Sequence, residues 1–127
     1  DTPSSVLYYN DQPSDYIYYM GLAQREWGKE DLAKKAFHRL LSFGQRHIFD
    51  RVFYDFFAVS LPEMEVFQED LQLRNTQYCK YLMALGDLGL SRKEEAGSLA
   101  EEILQVWPDD QGADTILRGL KVTGEDE

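Results

Sequence analysis

Residues 16–41 read YIYYMGLAQREWGKEDLAKKAFHRLL, and this stretch decides the fold. Ile17, Met20, Gly21 and Gln24 recur at helical spacing, with Ala23 and Trp27 extending the stripe. Gly28 then interrupts, where a helix commonly ends on a left-handed residue that glycine adopts at least cost. After it Leu32, Ala33, Ala36, Phe37, Leu40 and Leu41 form a second apolar face at i, i+3, i+4 and i+7. Two helices joined by so short a turn must run antiparallel. Gly21 and Ala33 let their backbones approach, and Phe37 supplies the buried area, at ~25 cal/mol per Å².

A shift of 63 residues, Tyr18 onto Tyr81, lays Tyr18-Tyr19-Met20-Gly21-Leu22-Ala23 over Tyr81-Leu82-Met83-Ala84-Leu85-Gly86. The same shift places Ala33 over Ala96, Phe37 over Ala100, Leu40 over Ile103 and Leu41 over Leu104. The chain therefore contains a helix–turn–helix unit twice.

These residues resemble the tetratricopeptide repeat, whose pattern of Trp-x-x-Leu-Gly-x-x-Tyr, then Ala-x-x-x-Phe, then Ala and Pro has a period of about 34 residues. Its positions fall on Ile17, Met20, Gly21, Gln24, Ala33, Phe37, Leu40 and Gln45; the opening Trp, the Tyr, the later Ala and the closing Pro are replaced. In the second copy Pro108 stands at the closing position. A second resemblance rests on Asp55-Phe56-Phe57-Ala58-Val59-Ser60-Leu61-Pro62 and on Cys79-x-Tyr81-Leu82-Met83-x-Leu85-Gly86. It is to the C-terminal repeat region of large bacterial proteins in which a domain of unknown function, shaped like a carbohydrate enzyme, comes first. It implies an appended module whose chemistry lies outside this chain.

The expected fold is all-α: antiparallel helix–turn–helix repeats of a tetratricopeptide-like α-α superhelix, with a helical insertion between two units. Residues 1–13 are expected as a tether, with Val6, Leu7, Tyr8 and Tyr9 able to dock on the body. One domain spans 14–122: units at 14–44 and 77–108, the insertion at 45–76, a terminal helix at 109–122, then a frayed tail at 123–127. Five to seven helices are expected. The helix after Gly28 should close at Gly44, and the aromatic run Val52, Phe53, Phe56, Phe57 and Val59 should be a buried helix. Pro62 suits the first turn of another, with a possible break near Arg74-Asn75, and Gly86 and Gly89 weaken the end of the next. Ser91-Arg92-Lys93-Glu94 reads as a capping box, Trp107-Pro108 as a stop, and Asp109 as the cap of a last helix with Ala113, Ile116, Leu117 and Leu120.

The chain of 127 residues has 43% hydrophobic and 13% aromatic content, enough for a packed core. It starts with Asp1 and shows no signal segment, the pattern expected of a piece of a longer protein in the cytoplasm. No apolar run approaches the ~18 residues of a membrane span. The net charge is −10; residues 1–60 hold 8 acidic and 7 basic side chains, and residues 61–127 hold 15 and 6. That sign opposes nucleic acid and anionic membranes as partners.

Enzyme chemistry finds little footing. Glu63, Glu65, Glu69 and Asp70 read as a solvated helix face, because nothing sets them across a cleft as glycoside hydrolysis requires. Cys79, His38 and His47 are too few for zinc and lack ligand spacing; Cys79 reads as a small buried hydrophobe. No cofactor is implied. The crowded tyrosines Tyr8, Tyr9, Tyr16, Tyr18 and Tyr19 either pack the tether or anchor a ligand.

In stacked helix pairs the inner helices line a concave face. The tetratricopeptide resemblance directs Asp15, Tyr18, Leu22, Arg25 and Glu26 of the first unit into that groove, with Tyr81 and Leu85 of the second, while Met20, Gly21 and Ala23 lean on the partner helix. Chaperone-tail clamps of the family carry Lys and Asn where this chain has Asp15, Tyr18, Leu22, Arg25, Tyr78, Tyr81, Leu85 and Leu88, so that ligand is not expected. The resulting expectation is a non-catalytic scaffold for a protein or peptide, or for the rest of its own parent chain. The rival is an accessory part in carbohydrate recognition beside a glycoside-hydrolase-like domain.

Overall fold

Two chain reversals, at Gly28 and at Ser91, set the architecture. The computed structural model describes residues 14–50 and 62–125, with side chains for 15–50 and 69–121. Over them run five helices: α1 (Ser14–Glu26), α2 (Glu30–His47), α3 (Pro62–Gly89), α4 (Lys93–Val106) and α5 (Gln111–Glu125). No strand occurs among the described residues. Each helix packs against the next in chain order, and α3 also touches α1. None of these helices is long and apolar enough to cross a membrane.

The first reversal ends α1 with a left-handed residue, Gly28 at φ 77°. The Lys29 N–H reaches back to the Gln24 carbonyl at 2.8 Å and the Gly28 N–H to that of Arg25 at 3.0 Å. This pair of bonds satisfies carbonyls that a helix end would otherwise leave open. Sixty-three residues later the turn recurs bond for bond: Arg92 N–H to Asp87 O at 2.7 Å, Ser91 N–H to Leu88 O at 3.1 Å, and Ser91 at φ 66°. The internal repeat seen in the sequence is thus a repeat of backbone geometry.

The faces that meet are those the periodicity marks. Ile17 and Gly21 of α1 and Ala33, Ala36, Phe37, Leu40 and Leu41 of α2 are buried, as are Ala96, Ala100 and Ile103 of α4. Met20, Trp27 and Leu32 are corrections: they are 41%, 74% and 44% exposed. On a 3.6-residue period Ile17, Gly21 and Gln24 share one face, whereas Met20 and Trp27 fall on the stripe begun by exposed Tyr16.

Other boundaries differ from the sequence reading for reasons that packing supplies. Gly44 does not close α2. It is buried inside the last turn, where a Cβ would lie 2.5 Å from Met83 Cγ and 2.6 Å from the Cys79 carbonyl oxygen. Nor does α3 break at Arg74-Asn75; it runs 28 residues, about 42 Å at the usual rise. Asn75 is buried because its amide donates to the His47 carbonyl at 3.0 Å, at the end of α2. Gly86 and Gly89 admit α2 rather than loosening α3: their Cβ atoms would meet the Phe37 carbonyl at 2.7 Å and the Phe37 ring at 2.2 Å.

Ser91 forms no capping box. It holds the left-handed turn, and α4 begins at Lys93 with Arg92 before it, without a side-chain cap. Asp110, not Asp109, caps α5, accepting from the Ala113 N–H at 3.0 Å. The backbone of α5 stays helical to Glu125, past the expected end at 122. Of the expected insertion, the described parts are the last turn of α2 and the first half of α3. The aromatic run at 52–59, the tether and the side chains of Glu63 and Glu65 lie outside the described residues.

Candidate ligand groove

α1, the C-terminal half of α3 and α5 wall a groove of about 580 Å³. Asp15, Tyr18 and Leu22 enter it from α1 at i, i+3 and i+7, the spacing that puts residues on one helix face. Tyr81, Leu85 and Leu88 enter from α3 at i, i+4 and i+7, again one helix face, and the shift of 63 residues sets Tyr81 and Leu85 in register with Tyr18 and Leu22. Ile116 and Leu120 of α5 form the third wall.

The site is anchored by one long-range contact. The Tyr81 hydroxyl donates to Asp15 Oδ1 at 2.6 Å, joining α3 to the start of α1. Burial, the bond to Asp15 and the nearby charges of Asp15, Tyr19 and Asp110 hold that hydroxyl far above its ordinary range, so it remains a donor. Gly112 makes room for the ring, because a Cβ there would lie 2.8 Å from Tyr81 Cε1. Tyr18 rests on Phe37 with ring centroids 5.8 Å apart, and burial raises its hydroxyl as well. Behind the contact, Asp15, Tyr81 and Gly112 also border a second cavity of about 660 Å³ that runs toward Trp107 and Arg74.

Of the residues the sequence directs to a groove, the structure brings together Asp15, Tyr18, Leu22, Tyr81 and Leu85. Arg25 and Glu26 sit elsewhere. Arg25 is spent on the turn: its Nε and Nη2 each reach the Glu30 carboxylate at 3.0 Å, Nη2 donates to the Gly89 carbonyl at 2.8 Å, and the guanidinium lies 5.0 Å from the Phe37 ring centre. Glu26 is exposed at the end of α1.

Sequence reasoning missed the α5 wall. The sequence reading places Ile116 and Leu120 in a last helix and gives them no part in a groove, although they recur at i, i+4 as Leu85 does from Tyr81. Of the crowded tyrosines read as packing the tether or anchoring a ligand, Tyr18 and Tyr19 reach the groove, and Tyr19 is 63% exposed there.

Other groups that the sequence singles out lie outside this groove. Cys79 is fully buried, its thiol 3.7 Å from Asn75 Oδ1, and burial pushes it up to about 12, which keeps it protonated and unreactive. Asp70 pairs with Arg74 at 3.0 Å, and Glu69 is exposed. No family model matches the chain, and no solved structure matches it at a significant level.

Proposed function

We propose that this chain is a non-catalytic, tetratricopeptide-like interaction module that holds a protein segment between α1, α3 and α5. The observation that carries the reading is the turn repeated at a shift of 63 residues, which makes α1 and α3 equivalent inner helices. Equivalent helices present equivalent faces, so Tyr18 and Leu22 continue into Tyr81 and Leu85 as one lining. That lining combines aromatic and aliphatic anchors with a polar edge at Asp15, Gln111 and Thr115, the mixture found where a segment is gripped without chemistry being done on it.

A screen of displayed random peptides against the immobilised chain, followed by anisotropy titration of the selected peptides, tests this. Thr115 is exposed at the groove, so Thr115→Trp fills the groove without touching the core. The expected result is loss of peptide binding in a variant with unchanged helical circular dichroism. Full binding by that folded variant would overturn the reading. The groove tyrosines Tyr18, Tyr19 and Tyr81 also favour a second reading, an accessory role in carbohydrate recognition. Glycan-array binding abolished by Tyr19→Ala, with no peptide selected, would replace the first reading by the second.

A further inference from the structure

The second cavity, beneath the Asp15–Tyr81 contact, has walls unlike those of the groove. Three carboxylates, Asp15, Asp70 and Asp110, border it against a single guanidinium, Arg74, and that guanidinium is already paired with Asp70. Asp15 spends Oδ1 on the Tyr81 hydroxyl, and Asp110 spends Oδ2 on the Ala113 N–H. Their second oxygens accept no hydrogen bond among the described residues. Gln77 adds an independent sign. Only 2% exposed, it lines the same cavity and donates through Nε2 to the Ile103 carbonyl at 3.0 Å, leaving its buried Oε1 with no donor. A buried acceptor left open is costly enough that native structures usually fill it. The remaining walls are aromatic: Tyr78, Tyr81 and Trp107.

One buried acceptor without a donor, at Gln77, an excess of carboxylates and aromatic faces together suit a planar cation rich in N–H donors. We propose that this cavity receives the guanidinium of an arginine side chain in the segment that the groove holds. The proposal rests on the reading of the groove as a peptide site, and it names the peptide's chemistry. A guanidinium offers five donors in a plane, stacks on aromatic rings and is weakly hydrated, so it loses less on entry than an ammonium. Because Asp15, Tyr81 and Gly112 border both spaces, one short segment can set an aliphatic side chain against Leu22 and Leu85 and an arginine beyond Tyr81. The acid excess of residues 61–127 adds a long-range field of the sign that draws such a segment in.

The probe is Nα-acetyl-arginine amide, titrated into the isotope-labelled chain and followed by amide nuclear magnetic resonance. Its neutral isostere, Nα-acetyl-citrulline amide, serves as control. For so small a ligand the expected dissociation constant is on the order of 1 mM. Saturable shifts are expected at the Gln77 side-chain amide, the Trp107 indole and Gly112, for arginine and not for citrulline, and weakened by salt. Asp15→Asn/Asp110→Asn keeps an acceptor for Tyr81 and a helix cap while removing both charges, and should weaken arginine binding by about tenfold or more. Equal shifts from arginine and citrulline, shifts confined to other surfaces, or an unaffected double variant would each overturn the proposal. Selected peptides that Thr115→Trp blocks but the double variant binds normally would sink this inference and leave the interaction module standing.

Discussion

Phe37 in the first hairpin and Ala100 in the second occupy the same register, 63 residues apart, and both are sealed from solvent. They demand opposite things of their neighbours. Phe37 needs space, and glycine provides it from two helices: a Cβ on Gly21 would sit 2.6 Å from the ring, and one on Gly89 2.2 Å. Ala100 needs none. In α4 the glycine beside this region, Gly97, would place a Cβ 3.4 Å from Leu120 Cδ1, an ordinary contact. One turn geometry thus serves two packing schemes, a large ring among missing side chains and a small residue among present ones. The turn specifies how the helices reverse; the Phe–Gly set specifies how closely α1, α2 and α3 converge.

The most damaging way to break this comparison is to remove the ring. Phe37→Ala should cost about 3–5 kcal/mol, since a fully buried aromatic is lost and its glycine walls have no side chains with which to refill the space. Chemical denaturation measures it as a lower midpoint at constant slope. A loss below about 1 kcal/mol would mean that Phe37 is not the pivot of the first hairpin.

Next come the glycines themselves. Gly86→Ala would press a methyl against backbone, the Phe37 carbonyl oxygen at 2.7 Å and the Leu41 nitrogen at 2.8 Å, neither of which can step aside. Overpacking of this kind costs about 1–3 kcal/mol. Gly97→Ala should go the other way, gaining about 0.5–1 kcal/mol because alanine restricts the unfolded chain and the site has room. Equal destabilisation by the two would erase the distinction between the hairpins.

A third pair exchanges the turns. Gly28 and Ser91 both sit in the left-handed region, which costs a residue with a Cβ roughly 1–2 kcal/mol. Ser91→Gly should therefore stabilise the second hairpin by about 1 kcal/mol, and Gly28→Ser should weaken the first by a similar amount. No atom lies within 4 Å of a Cβ at Gly28, so the second change reports backbone strain alone. Thermal midpoints of the two variants, moving apart in opposite directions, are the expected readout.

The same residues show what a sequence can and cannot disclose. The helix pair was legible because apolar residues at i, i+3, i+4 and i+7 have few uses other than a buried face. Five of the seven residues assigned to a groove gather there, because the shift of 63 residues sets Tyr81 and Leu85 of α3 in register with Tyr18 and Leu22 of α1. Misreadings came from residue types with two uses. Glycine at 44, 86 and 89 was taken as an ending or a weakness, whereas it marks the approach of another helix. Arg74-Asn75 reads as a possible break because neither residue suits an apolar face, yet the Asn75 amide reaches the His47 carbonyl across the helix contact, as that of Gln77 reaches Ile103. Only the tertiary partner distinguishes these uses, and it lies tens of residues away. Arg25 was misplaced for the same reason: its acceptors are Glu30, around the turn, and Gly89, on another helix.

Arg25 also supplies the finest test of the comparison. In the first hairpin it ties the turn shut through Glu30; at the equivalent positions the second hairpin has Leu88 and Lys93, which cannot form such a pair. The bond from Arg25 outweighs the opposing desolvation and, with the charges of Arg25 and Lys34, holds the Glu30 carboxyl below the ordinary glutamate range. A carboxyl whose folded value is depressed stabilises the fold fully above its unfolded value and loses that contribution as pH falls through the folded one. Acid should therefore loosen the first turn in the window just below the ordinary glutamate range, and leave the second turn unaffected by this route. Arg25→Leu, which copies Leu88, should raise the Glu30 titration midpoint back to that of an ordinary glutamate, as carboxyl-carbon resonance measures directly. It should also abolish the acid-dependent rise in amide exchange at Gly28 and Lys29, whose N–H groups close the turn. A Glu30 midpoint unmoved by the substitution would show that the guanidinium is not what holds that carboxylate, and that the two turns differ in glycine alone.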